Sequence, residues 1–104
     1  MRFLVLHRNK DAFLMLPLDQ KMTIMEGAVA FIEKYRNMGK CKEAYMDADL
    51  QGGASIWDVD SEEEAAKLIL ENPMAPFLNA EFRPVIAWDT AVKAQQEHLQ
   101  KLAK

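Results

Sequence analysis

The amino-acid sequence predicts an α+β domain with the split order β-α-β-β-α-β and one further helix at the C-terminal end. Three observations carry this. Four short stretches rich in Phe, Leu, Val, Ile and Trp suit strands and are too short for helices. Two longer stretches between them suit helices, one by the helical spacing of its apolar residues and one by a capping box at its start. Glycines and prolines fall at most of the joints.

Residues 2–8 read as the first strand, and residues 9–18 as a connection in which Pro17 disfavours helix just before it. Asp19 is a candidate cap for a helix through about Met38, with Met25, Ala28, Val29, Ile32 and Tyr35 at helical spacing. Gly39 is a natural stop, because it adopts a left-handed backbone without a Cβ clash. Residues 41–48 read as a second strand and 53–59 as a third, joined into a hairpin by Gln51-Gly52-Gly53. Ser61-Glu62-Glu63-Glu64 matches a capping box, and its acids suit the positive end of a helix that runs to about Glu71. Asn72-Pro73 ends it, and residues 73–76 are expected to be irregular. Residues 80–88 read as a fourth strand, with Pro84 implying a bulge or an edge. Asp89 or Thr90 then caps a last helix through about Leu102, with Val92, Gln96, Leu99 and Leu102 or Ala103 on one face. The result is a ferredoxin-like antiparallel sheet with both inner helices on one face, over residues 1–89, and a helical extension over 90–104.

Composition bounds the function. At 104 residues, half of them apolar and 28% charged, the chain suits one globular domain. A single cysteine, Cys41, excludes an internal disulfide framework, and a net charge of −3 gives no electrostatic footprint for nucleic acid. No apolar run reaches the roughly 18–20 residues needed to span a bilayer. The apolar run at the N-terminus is closed by His7 and Arg8, which suits a strand better than a secretory signal. The expectation is a cytoplasmic protein.

An uncovered sheet face needs a partner. Strand parity separates Leu4, Leu6, Ala44, Met46, Ala54, Ile56, Phe82 and Ile86 from Phe3, Val5, His7, Glu43, Tyr45, Asp47, Ser55, Trp57, Val59, Glu81, Arg83 and Val85. The first, apolar set is expected under the helices. The second mixes large apolar groups with charges, which suits a face closing against another subunit around a partly polar cavity. A homodimer with face-to-face sheets follows, with a pocket between sheet and helices or between the two sheets.

The stretch Gly52-Gly53-Ala54-Ser55-Ile56-Trp57-Asp58-Val59, the acidic helix after it, then Pro73-Met74-Ala75-Pro76-Phe77 and Glu81 resemble muconolactone isomerase-like proteins of the dimeric α/β-barrel group. The resemblance covers roughly residues 39–82, and the element order extends it to 1–88. It implies a cofactor-free proton transfer beside a carbonyl of a small organic acid or lactone, with no metal. Glu81 falls where the isomerase also has an acid. Lys42 and Glu43 stand where it has an Arg-His pair, and the C-terminal helix has no counterpart there.

Several residues carry a chemical and a plain reading. His7, whose ordinary pKa lies near neutrality, is a candidate base or acid, or a hydrogen-bonded strand-end residue. Glu81 and Glu43 are candidate proton carriers and Arg83 a fork for a substrate carboxylate, or together an intersubunit ion-pair cluster. Tyr45 and Trp57, with Ser55, wall a pocket for a flat ligand, or the two aromatics only pack across the hairpin. Cys41 and the seven methionines read as apolar filling, with no metal site. The leading reading is an isomerase-like enzyme. The alternative is a non-catalytic small-ligand binder or structural oligomer, and haem or oxygen chemistry is a third.

Overall fold

The chain is described from a computed structural model that covers residues 1–103. Strand β1 (Arg2–Asn9) is followed by a short helix α1 (Asp11–Leu14) and the long helix α2 (Leu18–Asn37). Strands β2 (Cys41–Met46) and β3 (Gly52–Asp58) form the hairpin. Helix α3 (Glu62–Glu71), a 3-10 turn over Ala75–Phe77, strand β4 (Leu78–Pro84) and helix α4 (Trp88–Leu102) complete the order. The α+β class, the antiparallel sheet, the helices on one face and the C-terminal helix are all as the sequence predicts.

The four strands lie in the order β2-β3-β1-β4, every pair antiparallel. β1 is therefore central, and its residues have neighbours on both sides: Phe3 faces Trp57 and Pro84, and His7 faces Gly53 and Ala80.

The sheet faces differ from the parity assignment. Phe3, Ser55, Trp57 and Val59 lie buried beneath the helices, with Val59 only 1% exposed, whereas Leu4, Leu6 and Ile56 are half-exposed on the open face. The buried side wins because Trp57 meshes with Phe31 and Tyr35 of α2, with ring centroids 5.8 and 6.0 Å apart. Registers also regroup the strands. Val5 pairs with Phe82 and Leu4 with Arg83, so Phe82 joins the helix side while Glu81 and Arg83 face away. The irregularity sits in β2, between Cys41 and Glu43, not at Pro84, which ends an edge strand. This bulge puts Cys41 opposite Trp57 but Glu43 opposite Ile56 and Tyr45 opposite Ala54, on the open face.

Caps differ in detail. Ser61 accepts from the Glu64 amide at 3.1 Å, as a capping box requires, while the Glu64 carboxylate accepts from the Asp60 amide at 3.3 Å. Pro17 and Ala87, not Asp19 and Asp89 or Thr90, precede α2 and α4, and no side chain caps either helix. Pro17 suits that place because its missing N–H would be unsatisfied there anyway. The hairpin turn spans residues 47–51, and Gly52 and Gly53 belong to β3 itself. Among the described residues, no helix is long and apolar enough to cross a membrane.

Candidate functional site

The seven singled-out residues separate onto the two faces of the sheet. His7, Ser55 and Trp57 lie on the helix side and line a cavity of about 300 Å³. Glu43, Tyr45, Glu81 and Arg83 lie on the open face. There Arg83 forms a fork with Glu81, at 2.9 and 3.1 Å. Tyr45 is 63% exposed.

The cavity is framed by β1 and β3 below, by Phe31 and Ile32 of α2 and Leu68 and Ile69 of α3 above, and by Ala80 and Phe82 of β4 at its exposed side. Its lining is mostly hydrocarbon and aromatic. The polar residues in it are His7, Ser55 and Asn72, and among the described residues no carboxylate, lysine or arginine lines it. At this size the space suits a single-ring organic molecule.

His7 is half-buried. Burial lowers its pKa below the ordinary 6.5, and the Asp47 carboxylate works weakly in the opposite direction. The imidazole is therefore neutral at pH 7, the state in which one ring nitrogen accepts a proton. The ring also borders a second, shallower and more polar depression, with Arg8, Asp47 and Glu81 around it. Arg8 fixes the nearby turn by bonding Asp47 at 2.9 Å and Asp49 at 2.9 and 3.0 Å.

Gly53 sets the position of His7. A Cβ at that residue would collide with the Tyr45 carbonyl and lie 3.2 Å from His7 Cε1. A hydrogen side chain lets β2 approach and lets the imidazole lie over the strand.

Ser55 stands diagonally from His7 across β1 and β3, since Ser55 faces Val5 and Gly53 faces His7. Its buried Oγ accepts from Trp57 Nε1 at 2.7 Å. That bond uses an acceptor site and leaves the Ser55 O–H free to donate. Asn72 is arranged in the same sense. Its Oδ1 accepts from the Met74 amide at 3.0 Å, which leaves the NH₂ group to donate. The cavity thus combines one neutral base with two hydrogen-bond donors in an apolar surround, the set a proton transfer beside a carbonyl requires.

Sequence reasoning missed Asn72. Its signal is the Asn-Pro pair, which favours a side chain turned back to its own backbone. It also missed a bond between the two inner helices, where the Tyr35 hydroxyl of α2 donates to the Glu71 carboxylate of α3. That bond, aided by burial, pushes the Tyr35 pKa up to about 12 and holds Glu71 below its ordinary value. Cys41 is buried; desolvation raises its pKa, and its Sγ–H donates to the Glu43 carbonyl at 3.6 Å. It is a thiol in the core, as its apolar reading predicts.

No protein-family model matches the chain, and no curated protein does. Among solved structures, the chain is similar to 5-chloro-2-hydroxyhydroquinone dehydrochlorinase from Burkholderia phenoliruptrix AC1100, solved in complex with 2,5-dihydroxybenzoquinone. The match has a TM-score of 0.65 at 15% identity and covers 83% of this chain and 94% of that one. At this identity the likeness is one of fold: a small α/β barrel-type domain, not muconolactone isomerase in particular.

Proposed function

We propose that this chain is a cofactor-independent enzyme that moves a proton beside a carbonyl of a small ring compound, with His7 as the base. The observation that carries the reading is the neutral imidazole in an apolar cavity lined, among the described residues, by no other ionisable group. His7 takes a proton from the carbon next to the carbonyl. The electron pair moves onto the carbonyl oxygen, where the Ser55 hydroxyl and the Asn72 amide donate to it. The imidazolium returns the proton to another carbon of the same molecule, and the double bond is displaced with no net change in composition. Trp57 holds Ser55 and forms the floor.

Of the two substrate classes the sequence suggests, a lactone or other neutral ring fits better than an organic acid. Arg83, the candidate carboxylate fork, is bonded to Glu81 on the opposite face. The neighbouring dehydrochlorinase holds a flat dihydroxybenzoquinone, which supports a ring-sized ligand. Glu43, Tyr45, Glu81 and Arg83 belong, on this reading, to a contact between the open sheet faces of two copies.

The test is hydrogen–deuterium exchange in D₂O over a panel of unsaturated lactones and hydroxylated ring ketones, followed by NMR. Exchange at the carbon beside the carbonyl, reduced at least about 100-fold in His7→Gln, supports the reading, in line with the usual contribution of a general base. Exchange equal in the two proteins overturns it. Tight binding of a ring compound with no exchange favours a binding protein instead.

A further inference from the structure

We infer that helix α4 is an exchange arm, its apolar stripe covered by a second copy of this chain. The inference rests on the self-association proposed above.

Three observations carry it. First, among the described residues α4 has none buried and packs appreciably on no other element. Yet Trp88, Val92, Leu99 and Leu102 recur at spacings of four, seven and three on one side, close to the a/d pattern of helices that pack on a partner. Trp88 is 79% exposed, Leu99 63% and Leu102 68%.

Second, the chain exposes 7683 Å², whereas a compact monomer of 11.9 kDa exposes about 6,000 Å². The surplus is about twice the roughly 800 Å² that each partner buries in a standard interface. The radius of gyration, 17.4 Å, likewise exceeds the roughly 13 Å of a compact domain of this length. A chain with that much surplus surface is completed by association, and a closed pair of identical arms covers the surplus on both copies at once.

Third, the joint directs α4 outward. The Val85 amide donates to the Arg2 carbonyl at 3.0 Å, so the backbone keeps the line of β4 past Pro84. Only residues 85–87 separate β4 from α4. The longest dimension of the molecule, 65 Å, accommodates a strand of about 23 Å and a helix of about 22 Å end to end with the joint between them. The arm therefore reaches beyond its own sheet.

The test is sedimentation of the full chain from 1 to 100 µM, with acrylamide quenching of tryptophan and far-ultraviolet dichroism. Trp57 is buried, so the accessible fluorescence reports Trp88. The expected result is a dimer with Trp88 shielded, whose dissociation constant rises at least about 100-fold in Leu99→Asp/Leu102→Asp while dichroism still shows a folded protein. A dimer with Trp88 exposed and association unchanged in the variant overturns the arm and leaves the sheet-face dimer standing. A monomer at 100 µM overturns both. With Trp88 shielded, the stripe then belongs to the chain's own domain. With Trp88 exposed, it belongs to a different partner.

Discussion

His7 lies under two influences of opposite sign. Burial lowers its pKa below 6.5, and Asp47 raises it by less. An activity that needs the neutral ring therefore has a plateau around neutrality and an acid limb centred below pH 6.5, and Asp47→Asn moves that limb further toward acid. The pH dependence of kcat/KM in the two proteins measures both. The folded protein binds this proton less readily than the unfolded one. His7 thus contributes full stability above pH 6.5, which is lost as pH falls through the lowered value. Gly53 is the second residue on which the site depends. Gly53→Ala forces the Tyr45 carbonyl and the His7 ring apart, and is expected to destabilise by about 1–3 kcal/mol, as overpacking does. Chemical denaturation reads that loss, and a fall in kcat with the acid limb displaced shows that the imidazole has moved. The sequence grouped His7, Ser55 and Trp57 on one face, and they line one cavity. Their separation from Glu43, Tyr45, Glu81 and Arg83 was not legible, because alternation within one strand says nothing about which alternation in the next strand lies beside it.

At the scale of elements, the cavity roof depends on how α2 and α3 are held together. The Tyr35–Glu71 bond is their polar link, beside the packing of Phe31, Tyr35 and Trp57. Glu71 is held below its ordinary 4.5, so its contribution is present above that pH and is lost as pH falls through the lowered value. Tyr35 is raised from 10.0 to about 12, so its contribution is present below pH 10 and is lost as pH rises toward 12. Tyr35→Phe is therefore expected to melt at a lower temperature than the parent at pH 7, with the gap closing at pH 3. Thermal unfolding at the two pH values checks this, and an equal gap at both would show that ring packing rather than the bond is responsible. The helix α3 start was readable to the residue, since Ser61 caps it through local contacts alone. The β2 bulge was not readable. It depends on how Cys41 fits against Trp57 in the assembled sheet.

At the scale of the whole molecule, α4 adds no buried residue to the core formed by the sheet and the inner helices. If the arm is covered by a second copy, part of the stabilisation arises from association. The melting temperature then rises with protein concentration, by mass action, in the parent but not in Leu99→Asp/Leu102→Asp. Calorimetry across a hundredfold range of concentration measures the slope. A melting temperature independent of concentration in both proteins contradicts it.

The sequence by itself determined the kinds and order of the elements, because periodicity, capping and glycine or proline breaks act over a few residues. It also determined that Ser55 and Trp57 share one side of the sheet, since positions two apart in one strand share a face; the pairing of β1 with β3 put His7 on that side too. Tertiary structure alone decided which side the helices cover, where β4 aligns on β1 and how the β2 bulge turns Glu43 and Tyr45 outward. Those outcomes follow from the fit of Phe31 and Tyr35 against Phe3 and Trp57. Such a fit is a comparison of the whole packed volume on one side with that on the other, and no single strand carries it.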